Sequence, residues 1–200
     1  MRVEIFDRME ECTEEAVQRM LPMVSEQRRE QALQYKHTLG QFCCLKSWLM
    51  LKELMDEGMK GLMDEWEYNE HGKPFIHCTP YTVHFNISHC KEGIAVAIDD
   101  LPIGIDIEAI RHADEELIRR TMNKEEQNQI HNDRDFIRFW TQKEAVVKML
   151  GTGIESFEQL QNILSRSRDH EITRPREITT IEKEKYIYSI SYGKLCSIGA

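Results

Sequence analysis

Residues 82–108, TVHFNISHCKEGIAVAIDDLPIGIDIE, decide the fold class of this 200-residue chain. Within Thr82–Ser88, Val83, Phe85 and Ile87 alternate with His84, Asn86 and Ser88, the period of a strand with two unlike faces. Ile94–Ile98 and Ile103–Glu108 read as two further strands. The short link Asp99-Asp100-Leu101-Pro102 predicts that those two form an antiparallel hairpin. Toward the N-terminus lie a strand at Val3–Phe6 and helices at Thr13–Leu21, Ser25–Tyr35 and Leu39–Met55, with Thr13 and Ser25 as N-caps. Phe42, Leu45, Trp48, Leu49 and Met55 give the third helix its apolar face, and Gly58 and Gly61 end the pattern. Residues 69–80, NEHGKPFIHCTP, read as a loop punctuated by Gly72, Pro74 and Pro80.

Toward the C-terminus the order repeats. Helices are expected at Asp114–Arg120, at Lys124–Ile130 behind an Asn123-x-x-Glu126 capping pattern, at Arg134–Leu150 and at Phe157–Leu164. Strands follow at Ile178–Glu182, Tyr186–Ser191 and Leu195–Ile198, with Gly193 at the last turn. Helices and antiparallel strands thus alternate in two blocks. This predicts an α+β fold of two similar lobes, residues 1–100 and 101–200.

Composition narrows the function classes. The hydrophobic fraction of 40% and charged fraction of 30% are those of a soluble globular protein. MRVEIFDRMEEC has no apolar signal segment, and no stretch approaches the ~20 apolar residues of a membrane span, so a cytoplasmic protein is expected. Cys12, Cys43, Cys44, Cys78, Cys90 and Cys196 have no zinc-like spacing and read as reduced thiols. A net charge of −9 argues against general nucleic-acid binding.

Two stretches can carry chemistry. In Gly104-Ile105-Asp106-Ile107-Glu108, Asp106 and Glu108 share one strand face while Ile105 and Ile107 take the other. Paired carboxylates of this kind suit Mg²⁺ together with substrate phosphates, although D-x-E alone is more often a solvated strand face. In Trp140-Thr141-Gln142-Lys143-Glu144-Ala145-Val146-Val147-Lys148, Trp140, Glu144 and Lys148 fall on one helical stripe. Glu four residues before Lys is by itself a common helix-stabilising pair.

The combination is more specific than either part. IGIDIE followed by WTQKEAVVKMLGTG resembles the 4′-phosphopantetheinyl transferases, whose hallmark is (I/V)G(I/V)D(I/V)E and then W-x-x-K-E-(A/S)-x-x-K-x-x-G-x-G. Asn86-Ile87-Ser88-His89 resembles that family's N-(I/L)-S-H segment and Gly72-Lys73-Pro74 its G-K-P loop. The length and the two blocks resemble the single-chain Sfp type. That implies a pseudo-dimer of two lobes, each a small antiparallel sheet with helices, a cleft between them and a monomeric enzyme.

The resemblance implies transfer of the 4′-phosphopantetheine arm of coenzyme A to a serine of an apo acyl or peptidyl carrier protein, releasing 3′,5′-ADP. It implies Mg²⁺, or Mn²⁺, on Asp106, Glu108 and Glu144, with Glu144 also the candidate base, directly or through a bound water. Lys148 would stabilise the leaving group or bind the pyrophosphate. His89 and Lys73 match residues placed at the nucleotide phosphates, and Ser88 lines the same pocket; Trp140 is expected to be a packing anchor. Arg28 and Lys36, in SEQRREQALQYK, are the candidates in the first lobe, and Lys46 is an alternative because QFCCLKSW departs from the usual arginine-rich pattern. The competing functions are an Mg²⁺-dependent nucleotide pyrophosphate hydrolase and a non-catalytic coenzyme A-binding module. Met55, Met59 and Met63 form a candidate patch for carrier docking.

Overall fold

The computed structural model of the chain describes residues 1–62, 66–78, 81–164 and 177–193. Five strands, β1 (Arg2–Phe6), β2 (Trp66–Tyr68), β3 (Pro74–Cys78), β4 (Tyr81–Cys90) and β5 (Gly93–Asp99), form one antiparallel sheet in the order β1-β5-β4-β3-β2. Helices α1 (Glu14–Met20), α2 (Glu26–Leu33) and α3 (Thr38–Leu54) belong to this half. Thr13 and Ser25 cap α1 and α2, accepting from the amides of Ala16 and Arg28. A second sheet, in the order β6-β8-β7, contains β6 (Ile103–Ala109), β7 (Glu177–Glu182) and β8 (Tyr186–Tyr192). It is accompanied by α4 (Glu115–Thr121), α5 (Lys124–Gln127), α6 (Asp133–Leu150) and α7 (Phe157–Asn162). The fold is α+β, with two antiparallel sheets packed with helices.

The alternation in β4 and β5 divides two cores. Val83, Phe85, Ile94, Val96 and Ile98 face the helices, meeting Phe42, Leu45, Trp48 and Leu51 of α3. On the opposite face, Ala95 and Ala97 meet Ile103, Ile105 and Ile107 of β6 and Tyr186 and Ile190 of β8. The small alanines let the two sheets approach closely. Asn86 and Ser88 lie on this inner face too and close the seam: Asn86 Oδ1 accepts the Ile105 amide at 2.9 Å and Ser88 Oγ the Ile107 amide at 3.3 Å. Side chains of one sheet therefore satisfy the edge backbone of the other.

The expected hairpin between Ile94–Ile98 and Ile103–Glu108 does not form. Both edges of β5 are occupied, by β1 in the register Val3↔Ala97 and by β4 in the register Asn86↔Ala97, so β6 crosses into the second sheet and pairs with β8. Residues 69–80 are not a continuous loop either, because Pro74–Cys78 is a strand paired to β2 and β4. Pro74 stands at its first position, where the missing N–H is tolerated. The Asn123–Glu126 capping box forms as expected, but α5 ends at Gln127. The expected strand Leu195–Ile198 lies outside the described residues. Met55 is core and Met59 packs half-buried against the same core, so these two offer no docking patch; Met63 lies outside the described residues.

Candidate active site

Gly104 brings strand and helix into contact. A Cβ built there would lie 2.0 Å from the carbonyl oxygen of Ala145 and 2.4 Å from the amide nitrogen of Met149, both backbone atoms of α6. Only hydrogen fits. The same β6 face carries Asp106 and Glu108, so the close approach sets them against Glu144 and Lys148 on α6. The helix is fixed at both ends, by Asn132 accepting the Asp135 amide and by Gly151 at φ 71°.

Lys148 donates to Asp106 Oδ1 at 2.6 Å and to Ser88 Oγ at 2.9 Å, and Ser88 Oγ donates to the same carboxylate oxygen at 2.9 Å. Asp106 is 3% exposed, and its Oδ2 is buried with no hydrogen-bond partner among the described residues. Burial and then Asp106 push the Glu108 carboxyl above its ordinary value, with Arg111 the main opposing charge. Glu144 is pushed up to about 7, first by burial and then by Asp106, with Lys148 opposing and Glu108 adding to the rise. Among the described residues no three acidic, His or Cys groups are closed into a metal cage. The donor set nonetheless fits a hard cation. Asp106 lies close enough to raise both Glu108 and Glu144, and it keeps one buried oxygen unsatisfied among the described residues.

The expected basic residues divide between two clefts and the exposed surface. Lys73 and Lys148 line a cleft of about 400 Å³ together with Pro74, Asn86, Glu144 and Gly151. Arg28 and His89 line a neighbouring cleft of about 230 Å³ with Trp48, Trp66 and Tyr68. Arg28 is 8% exposed and stacks on Trp48, with its guanidinium carbon 4.2 Å from the ring centroid. Its Nη1 donates to Gln31, its Nε has no partner, and no carboxylate pairs with it among the described residues. His89 is exposed by surface area yet crowded enough that desolvation, and then Lys148, hold its pKa below the ordinary value. Lys36 sits in the exposed turn before α3 and lines neither cleft. Lys46 does not substitute for it, since its ammonium lies 4.8 Å from the Phe6 ring centroid. Trp140 stacks on Phe136 at 6.0 Å.

One motif residue had no role assigned from sequence. Lys143 is fully buried, paired with Glu126 Oε2 at 2.8 Å and donating to the Leu160 carbonyl, so it ties α6 to α5 and α7. Its apolar neighbours Ala145 and Val146 were the available signal, though a buried lysine needs a partner that spacing alone does not reveal.

The profile of the 4′-phosphopantetheinyl transferase superfamily matches residues 102–194, the segment that contains all three carboxylates and Lys148. Residues 102–194 belong to the 4′-phosphopantetheinyl transferase superfamily. The chain is similar to the 4′-phosphopantetheinyl transferase psf-1 of Bacillus pumilus, with 27% identity over 69% of this chain and 62% of that one. It is 31% identical to the 4′-phosphopantetheinyl transferase gsp of Aneurinibacillus migulanus over 60% of this chain and 50% of that one. A 4′-phosphopantetheinyl transferase of Bacillus subtilis is 30% identical over 68% of this chain and 64% of its own. The chain thus spans between half and two thirds of the length of these curated relatives. No helix among the described residues is long and apolar enough to cross a membrane.

Were Glu144 to ligate a divalent cation at this site, a pH dependence would follow. A cation must displace the proton that Glu144 holds below about 7, so its protonated form opposes metal and its ionised form favours it. Apparent Mg²⁺ affinity, followed by calorimetry, is expected to fall roughly tenfold per pH unit below 7 and to level off above it. An affinity independent of pH would remove Glu144 from the ligand set.

Proposed function

We propose that the chain transfers the 4′-phosphopantetheine arm of coenzyme A to a serine hydroxyl of an apo acyl or peptidyl carrier protein. The observation that carries this reading is the buried, partly unsatisfied Asp106 bonded to Lys148, which with Glu144 lines a cleft. Asp106, Glu108 and Glu144 would hold Mg²⁺ or Mn²⁺. That ion, when bound, would neutralise charge on the donor pyrophosphate.

The remaining work belongs to side chains. Lys148, oriented by Ser88 and Asp106, meets the negative charge that develops as the pyrophosphate P–O bond breaks and 3′,5′-ADP leaves. Glu144, held near neutrality, is suited to accept the proton of the serine whose oxygen forms the new bond to phosphorus. Residues 1–100 would contribute the nucleotide contacts, with Arg28 as a buried cation that has no counter-ion among the described residues, and residues 101–200 the metal site. The reading is of a cytoplasmic monomer with no nucleic-acid or membrane partner.

Arg28→Met, which keeps the stem between the tryptophans, is expected to raise KM for coenzyme A about 10- to 100-fold with kcat little changed. The melting temperature should hold, because the cation has no carboxylate partner among the described residues to lose. An unchanged KM would take Arg28 out of the donor site.

The function itself is tested by chromatography of 3′,5′-ADP after incubation with coenzyme A and Mg²⁺. Release only when apo carrier is present supports transfer. Release without carrier would instead support the pyrophosphate hydrolase. No release, with coenzyme A bound, would leave a binding module.

A further inference from the structure

The last carbonyls of a helix have no intrahelical donor and must find partners elsewhere. At the end of α6, the Val147 carbonyl takes the Gly151 amide, and the Met149 carbonyl takes the ammonium of Lys73 at 2.9 Å. The same ammonium donates at 3.1 Å to the carbonyl of Ile103, the first residue of β6. Lys73 arrives from the other half of the chain on a turn built around Asn69. There Asn69 Oδ1 accepts the Lys73 amide at 2.8 Å and the His71 amide at 3.0 Å, and Nδ2 donates to the Gly151 carbonyl at 2.9 Å. Gly72 at φ +80° closes the turn. A Cβ at Gly151 would lie 2.9 Å from both Lys73 Cδ and Asn69 Nδ2, so the clasp packs directly on the helix C-cap.

From this geometry we infer that Lys73 is a positioning residue that fixes the spacing between β6 and α6. The inference rests on the proposed transfer reaction, because that spacing sets Asp106 and Glu108 against Glu144 and Lys148. Burial lowers the Lys73 pKa to about 8, as expected for an ammonium satisfied by carbonyl oxygens alone. The negative end of the α6 dipole supplies the opposing charge.

Kinetics distinguish a clasp from a ligand contact. Lys73→Met is expected to lower kcat about 10- to 100-fold while KM for coenzyme A stays within about twofold. Asn69→Ala breaks the same clasp at a residue outside the cleft lining and is expected to act in the same way. Lys73→Arg, whose fork can span both carbonyls, should restore part of kcat. Calorimetric Mg²⁺ affinity, which needs no turnover, should weaken by about threefold to tenfold in Lys73→Met and Asn69→Ala. A rise in KM with kcat intact, or normal kcat and Mg²⁺ affinity in Asn69→Ala, would overturn the inference. Should Lys73→Met fail to fold, Asn69→Ala decides alone. Absence of transfer by the unaltered protein would count against the reaction, while the Mg²⁺ titrations still test the clasp.

Discussion

Asp106→Asn is expected to lower kcat for carrier modification by roughly 10³-fold or more while far-UV circular dichroism stays unchanged. The substitution preserves shape and one oxygen that can accept from Lys148 and Ser88, while the charge is lost and the second oxygen becomes an NH2 donor unable to ligate a cation. Asp106 has the largest leverage of the three carboxylates. It is the most buried of them, it anchors Lys148 and Ser88, and it raises the pKa of both Glu108 and Glu144. Its loss should therefore also let Glu144 titrate lower, and residual activity should persist to a lower pH. Near-normal kcat would contradict the metal role assigned to β6.

Gly104→Ala is the second large effect, and it acts on folding. A methyl group at 2.0 Å from the Ala145 oxygen cannot be relieved by a rotamer change, since both neighbours are backbone. The cost should exceed the ~1–3 kcal/mol of ordinary overpacking, because β6 must separate from α6 along its length. For a chain of this size the melting temperature is expected to drop by roughly 10 °C or more, with Mg²⁺ affinity lost in any molecules that remain folded. Thermal unfolding followed by circular dichroism checks the first part and calorimetry the second. A stable Gly104→Ala protein would mean that strand and helix are not in the register described.

What could be read from sequence was local. The period-two alternation over Thr82–Ser88 held as β4, and its polar positions Asn86 and Ser88 turned out to face the second sheet and not solvent. The shared face of Asp106 and Glu108 and the stripe of Glu144 and Lys148 also held, because both depend only on strand and helix periods. The hairpin failed because pairing partners are chosen across the whole chain. β1, some ninety residues upstream, had already taken one edge of β5. Pro74 concealed β3 because a strand may begin with proline as freely as a loop may contain one. Lys73 and Lys143 were legible as motif positions but not in their roles, since each is defined by a long-range partner: Met149 and Ile103 for one, Glu126 and Leu160 for the other.

The central claim is that these carboxylates serve transfer of a phosphopantetheine arm to a protein serine. Intact-mass spectrometry of an apo acyl carrier protein, incubated with this protein, coenzyme A and Mg²⁺ beside an EDTA control, tests it most directly. The account predicts a gain of one phosphopantetheine mass that is absent with EDTA and absent when the carrier serine is replaced by alanine. An unchanged carrier mass across acyl and peptidyl carriers, with coenzyme A bound and Mg²⁺ present, would contradict it.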